Sequence, residues 1–287
     1  HEYLQSDETR SIAFIRSTIE TSLDNRIDFK FNTGSLLSGG IDSSVIAMLA
    51  SRRYKARFGS DAQMNTFALG VGESEGIINA RLVAKAIDSR HHEKIVDLDT
   101  LLAVLDDVIY HLESFDPSLV RSAASNYLIS QFAAEKGIEV LLSGEGGDEV
   151  FCGYLYLKDE PAEALFNGQI NCLKFLHNNA SLRLDHMNQC HQVRVVAPLI
   201  SGPLLNFTLA LAPELKQKPD GDLKIEKYIF RKTFEKDLPT QVVWRLKQEF
   251  SQGSGSAARL PGHFEKTIAD NELTEIQQEF PMVRSKE

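Results

Sequence analysis

Two glycine-rich stretches set serines and carboxylates close together, SLLSGGIDSS at 35–44 and LLSGEGGDEVFCGY at 141–154. In the first, Gly39 and Gly40 allow the backbone to approach a ligand closely, and Ser38, Ser43 and Ser44 add hydroxyl donors. A loop of small residues between a strand and a helix exposes backbone N–H groups at the helix N-terminus, where the macrodipole favours an anion. Asp42, inside that donor-rich loop, is a hard oxygen ligand suited to a magnesium ion carried by a leaving pyrophosphate. No lysine follows the second glycine as a Walker A loop requires, and the spacing is not GxGxxG. The plainer alternative is a Ser/Gly turn in which Asp42 caps a helix.

Such a loop must end a strand and open a helix. Ser35-Leu36-Leu37 read as a short strand before the glycines, and Val45, Ile46, Met48 and Leu49 as a helix after them. Upstream, Ile12, Ile15, Ile19 and Leu23 recur at helical spacing within 9–26. Residues 64–70 read as a second buried strand, 75–87 as a helix and 91–99 as a third strand. Residues 101–112 and 126–136 read as helices, the latter ended by Gly137, and 138–142 as a fourth strand running into SGEGGDE. Strands alternating with helices predict an α/β fold with a parallel sheet covered on both faces. Beyond about residue 156 the strand signals fade, and 162–192, 203–217, 222–236 and 263–279 read as helices separated by prolines. The predicted organisation is an α/β unit over 1–156 and a mostly helical part over 157–287. Between its helices, 251–262 (SQGSGSAARLPG) reads as a flexible loop suited to a mobile lid.

Composition narrows the partners. The 287 residues are 43% hydrophobic and 25% charged, ordinary for a soluble globular protein. No apolar run approaches the ~20 residues that cross a bilayer. A formal charge of −9 argues against a nucleic-acid partner but is compatible with a nucleotide in a pocket. Cys152, Cys172 and Cys190 form no CxxC and fit a reducing cytosol, and HEYLQSDETR is no secretory signal, so a cytoplasmic location is expected. The start without Met suggests a trimmed chain.

SGGIDSS resembles the SGGxDSS signature of PP-loop, or N-type ATP pyrophosphatase, enzymes, which split ATP between its α and β phosphates. LLSGEGGDEVFCGY resembles the SGEGxDExFGGY stretch of the synthetase domain of glutamine-dependent asparagine synthetases. Further stretches resemble that domain in the same order: 67–70 (FALG), 91–93 (HHE), 106–123, 226–239 (EKYIFRKTFEKDLP) and 244–255 (WRLKQEFSQGSG). The likeness implies the five-stranded parallel sheet of the PP-loop class with a mostly helical C-terminal part. It implies that Leu36, Ser38, Gly39, Gly40, Asp42, Ser43 and Ser44 hold the ATP phosphates, and that Leu69 and Gly70 contact the adenosine. Ser143, Gly144 and Glu145 would line the acyl-adenylate pocket, and Asp42 and Asp148 would bind Mg²⁺. Two carboxylates facing a polyphosphate repel it unless a cation sits between them. Lys247 and Arg231 match family cations placed against the phosphates, where they would stabilise charge developing on pyrophosphate.

The implied reaction has two steps: a carboxylate, that of aspartate in the family, attacks the α-phosphorus of ATP, and ammonia then attacks the acyl-AMP. Glu145 would receive or orient the amine, since ammonium must lose a proton first; its plainer role is a loop carboxylate paired with a nearby cation. β-Lactam-forming relatives carry tyrosine at that position, which sets a ring-closing cyclase apart as an alternative. The family's preceding glutaminase domain, with its N-terminal cysteine nucleophile, is expected to be absent from this chain, so that the chain is an excised domain, takes free ammonia or is supplied by a separate glutaminase subunit. A homodimer is a further partner to consider.

Matching on Pro198 sets VRVVAPLIS, 193–201, against a family stretch resembling VEARVPFLD. Arg194, Val196 and Ser201 then replace a glutamate, an arginine and an aspartate, which points to a changed acyl pocket and to an Arg194–Glu145 ion pair, or to a nucleotide-binding relative without amide synthesis. Cys152 stands where the family has glycine and reads as a buried free thiol rather than a nucleophile. His91 and His92 are adjacent on a strand and point to opposite faces, so structural roles are expected instead of a shared metal. Phe230, Phe234 and Trp244 read as core.

Overall fold

The computed structural model describes residues 7–221, 223–245 and 259–286. Helix α1 (Glu8–Asp24) starts where the Asp7 carboxylate accepts the Arg10 N–H, and it buries Ile15, Ile19 and Leu23. Then β1 (Thr33–Leu36), α2 (Ile41–Phe58), β2 (Asn65–Val71), α3 (Glu75–Ile87) and β3 (Arg90–Val96) alternate as expected. Helices α4 (Leu98–Leu102), α5 (Leu105–Leu112) and α6 (Pro117–Glu135) lead back to β4 (Val140–Leu142). The chain continues through α7 (Gly147–Phe151), α8 (Leu165–Phe175) and α9 (Ala180–Gln189) to β5 (Arg194–Val196). The sheet has five strands in the order β3-β2-β1-β4-β5, and every neighbouring pair is parallel.

Both faces of this sheet are covered, and consecutive strand residues feed different cores. On β2 and β4, Ala68 and Leu142 join the cluster built on α1, α2 and α3, whereas Phe67 and Leu141 join the one beneath α6. The near-continuous burial of β2 follows from that double cover, and β3, at the sheet edge, is correspondingly more polar.

The fifth strand corrects the expectation that strands stop near residue 156. β5 is only three residues long and begins with an exposed arginine, so it carries no strand pattern of its own; pairing with β4 makes it a strand. After α10 (Gly202–Ala210) and α11 (Pro213–Lys216), a second correction follows. An antiparallel hairpin, β6 (Gln217–Asp220) and β7 (Leu223–Glu226), takes the end of the helix expected over 203–217 and residues 223–226 of the one expected over 222–236. Pro219 has no N–H to give a helix, and Gly221 takes φ of 59° at the turn. Helices α12 (Tyr228–Phe234) and α13 (Thr240–Val243) follow, then Arg259–Thr267 and Asp270–Glu279. The expected 251–262 loop lies outside the described residues up to 258, and 259–262 open a helix instead. Phe230 and Phe234 are fully buried in the core that includes α1, with Trp244 packed against it. Among the described residues no helix is long and apolar enough to cross a membrane.

Candidate functional site

Strands β1 and β4 are neighbours, and the chain leaves them in opposite directions across the sheet. The loops at their C-terminal ends diverge and open a crevice, the position at which open α/β sheets bind ligands. A cavity of about 390 Å³ lies there, lined by Leu36, Ser38, Gly40, Asp42 and Ser43 from the β1 loop and by Ser143, Gly144, Glu145 and Asp148 from the β4 loop. Leu69 and Arg231 also line it.

Gly39, Ser44 and Gly70 are not among the lining residues. Gly39 takes φ of 76° and abuts α3, where a Cβ would collide with the Gly76 carbonyl. The Ser44 hydroxyl donates to the Gly40 carbonyl at 2.7 Å, and Gly70 packs on Ile77. These three shape the loops. Lys247 lies outside the described residues.

Gly40 is the N-cap of α2, and no side chain caps that helix end. Asp42 is therefore not the cap; it stands in the first turn, and its Oδ2 accepts from Lys227 Nζ at 2.6 Å. The serines brace the loop: the Ser38 N–H donates to Ser43 Oγ at 3.1 Å, and Ser43 Oγ donates to the Gly40 carbonyl at 3.1 Å. Lys227 Nζ also pairs with Asp148 Oδ1 at 2.6 Å, so one ammonium bridges the two loop carboxylates. Burial pushes the Lys227 pKa down, but the carboxylates on either side outweigh it and hold the group above its ordinary value.

The acyl side of the cavity has its own charges. The Glu145 N–H donates to Ser143 Oγ at 3.1 Å, and Arg183 Nη2 lies 3.3 and 3.4 Å from the Glu145 carboxylate oxygens. Arg183 Nη1 donates to Asn126 Oδ1 at 2.6 Å. The expected Arg194–Glu145 pair is not formed. Arg194 stands opposite Val140 at the far end of the β4–β5 ladder from the loop, exposed, with its guanidinium 5.4 Å over the Phe31 ring. Val196 contributes a backbone carbonyl that accepts the Ser143 N–H at 2.8 Å, and Ser201 is the N-cap of α10. Behind Glu145, Glu149 is 2% exposed and accepts the Tyr154 hydroxyl at 2.6 Å; burial and the nearby Glu145 charge push its pKa up to about 7.

Arg231 borders the cavity with its donors committed: it gives hydrogen bonds to the Glu226 carboxylate and carbonyl and to the Val243 carbonyl. Arg245 also lines the cavity; its Nη1 is buried without a hydrogen-bond partner among the described residues, and burial lowers its pKa. Lys227 and Arg245 stand in the EKYIFRK and WRLK stretches, where the family likeness points to Arg231 and Lys247 instead. Arg183 and Asn126 carried no motif and are brought in by the packing of α9 on α6.

Cys152 is fully buried, and burial pushes its thiol up to about 12, which removes it as a nucleophile. His91 Nδ1 meets Thr66 Oγ1 at 2.9 Å and His92 Nε2 meets Asn65 Oδ1 at 2.9 Å, both structural. Among the described residues no three His, Cys, Asp or Glu side chains cluster to hold a metal. Asp42 and Asp148 nonetheless fit Mg²⁺ on a nucleotide, which takes one or two carboxylates plus phosphate oxygens. Asp42 Oδ1 is buried and accepts no hydrogen bond from a described residue, and a cationic group already sits between the two acids.

A parallel sheet whose β1 ends in SGGIDSS at a helix N-terminus, with a second acidic loop beside it on β4, is the arrangement of a PP-loop ATP pyrophosphatase. The family model for asparagine synthase matches residues 15–171 and 162–280. The chain is 33% identical to a probable glutamine-hydrolysing asparagine synthetase of Schizosaccharomyces pombe, over 93% of this chain and 52% of that protein. It is also 33% identical to glutamine-hydrolysing asparagine synthetase B of Escherichia coli K12, over 93% and 50%. The chain belongs to the asparagine synthase family, and it spans about half the length of the curated relatives it matches. Among solved structures it is similar to an NMN synthetase from Francisella tularensis, at a TM-score of 0.45 and 12% identity over 96% of this chain and 93% of that one.

Proposed function

We propose that this chain is the synthetase part of an ATP-dependent, AMP-forming amide ligase that makes asparagine from aspartate and ammonia through a β-aspartyl-AMP intermediate. The observation that carries this reading is the meeting, in one crevice, of the Asp42 loop on β1 with the loop bearing Glu145 and Asp148 on β4. The β1 loop and the open end of α2 would take the phosphates, with Leu36 and Leu69 against the adenosine. Asp42 and Asp148 would hold a Mg²⁺, which offsets charge on the phosphate oxygens. Lys227 and Arg245 bring positive charge to the pyrophosphate side, and the family resemblance implies the same role for Lys247. Arg231 positions α12 through its bonds to Glu226 and Val243.

On the acyl side, Ser143 and Gly144 shape the pocket, and Glu145 receives the proton that the incoming ammonium must lose. Its pairing with Arg183 holds that carboxylate in the cavity wall. Ammonia comes free or from a glutaminase domain or subunit; the curated relatives are named as glutamine-hydrolysing. The altered positions Arg194, Val196 and Ser201 are not among the cavity-lining residues, which favours retained synthesis over a nucleotide-binding relative without it.

Exchange of labelled pyrophosphate into ATP, run with a panel of amino acids, tests this reading. Exchange that depends on aspartate supports it. Nucleotide binding without exchange for any acid supports the inactive relative, and AMP release from a β-amino acid without any amine supports a cyclase.

A further inference from the structure

Lys227 is built into the site from three directions. It ends the β6–β7 hairpin and caps α12 with φ of 54°, a left-handed conformation uncommon for a long side chain and a recurrent mark of functional positions. Its side chain is 1% exposed, and its Nζ lies 2.6 Å from both Asp42 Oδ2 and Asp148 Oδ1. Gly153 makes room for it: a Cβ there would stand under 3.0 Å from Lys227 Cε and from Asp148 Oδ1. One buried ammonium thus ties the β1 loop, the β4 loop and α12 together.

We propose that Lys227 is a resident cation that takes the place of a metal ion between Asp42 and Asp148, holding the two carboxylates in register and excluding bare divalent ions until a nucleotide brings one. This rests on the reading of Asp42 and Asp148 as the metal-binding pair. Two carboxylates facing each other in one notch repel unless a cation separates them, and the buried Lys227 already meets one oxygen of each. A bare Mg²⁺ gives up its water reluctantly and would have to displace two short charge-assisted hydrogen bonds. A nucleotide changes that balance, because its phosphate oxygens offer the ammonium new acceptors and supply most of the metal's ligands. The buried Asp42 Oδ1, which accepts no hydrogen bond from a described residue, is the oxygen left for the metal while Oδ2 keeps Lys227.

The test is Mn²⁺ binding, read by electron paramagnetic resonance, to the wild-type protein, Lys227→Met and Asp42→Asn, each with and without α,β-methylene-ATP. The wild type is expected to bind Mn²⁺ at least about tenfold more tightly with the nucleotide than without it, and Lys227→Met to bind bare Mn²⁺ at least about tenfold more tightly than the wild type. A variant that binds bare Mn²⁺ no better than the wild type overturns the proposal. Should Lys227→Met not fold, Lys227→Gln is compared by melting temperature: bare Mn²⁺ is expected to raise that of the variant and not that of the wild type, and equal responses overturn the proposal. If the wild type takes up no Mn²⁺ with the nucleotide, or Asp42→Asn takes it up equally well, the metal-pair reading itself fails.

Discussion

Glu149 should make this protein less stable as the solution is made more alkaline, and replacing it with glutamine should remove that dependence. The side chain is 2% exposed, and its Oε2 is buried without a hydrogen-bond partner among the described residues. Burial first, then the charge of Glu145, push its pKa from 4.5 to about 7, against the smaller opposing effect of the Tyr154 hydrogen bond. A carboxyl raised in the folded state binds its proton more tightly there than in the unfolded chain. Its contribution to stability is therefore fully present below about 4.5 and is lost as pH rises through about 7. At about 1.4 kcal/mol per tenfold change, the displacement amounts to roughly 3 kcal/mol, of which roughly 2–3 kcal/mol falls between pH 5 and pH 8. Glutamine keeps an oxygen for the Tyr154 hydroxyl and carries no charge. Urea unfolding of the wild type and Glu149→Gln, without nucleotide or divalent ions, should show the variant gaining roughly 2–3 kcal/mol on the wild type from pH 5 to pH 8. A difference that stays constant across that range would refute the reasoning. Glu145→Gln, which removes the neighbouring charge, should shift the wild-type transition toward lower pH.

Glu145→Gln should also separate the two chemical steps: aspartate-dependent pyrophosphate exchange persists while amide formation falls by about two orders of magnitude, the range of a lost general base. Equal losses in both would place Glu145 on the nucleotide side. Gly153→Ala should cost about 1–3 kcal/mol in urea unfolding and weaken metal–nucleotide binding, because its Cβ would collide with Lys227 and Asp148; unchanged binding by calorimetry would count against the packed triad. Phe151→Ala should cost about 3–5 kcal/mol, since Phe151 is fully buried and stacks on Phe230 at 4.7 Å beneath the β4 loop.

The loop–strand–helix units were legible because their signals are local. Ser35-Leu36-Leu37 and SGGIDSS announce a strand end and a helix start, and α3 runs from Glu75 to Ile87 as the spacing over 75–87 predicts. β5 and the β6–β7 hairpin were not legible, because RVV is too short and QKPD too polar to show a period; the first needs β4 beside it and the second needs a turn at Gly221. The candidate site divides in the same way. Asp42, Glu145 and Asp148 lie in motifs, whereas the cations that partner them come from distant segments: Lys227 reaches Asp42 across 185 positions and Arg183 reaches Glu145 across 38. Arg194, singled out by the match on Pro198, stands at the wrong end of its strand to reach Glu145.

The measurement that bears most directly on the central claim follows an oxygen atom. Aspartate labelled with ¹⁸O in both side-chain carboxylate oxygens is supplied with ATP, Mg²⁺ and ammonia, and the products are read by mass spectrometry. If the carboxylate attacks the α-phosphorus in the crevice between the Asp42 and Glu145 loops, AMP carries one ¹⁸O and the amide of asparagine keeps the other. Unlabelled AMP, or label in inorganic phosphate formed alongside ADP, would contradict the account.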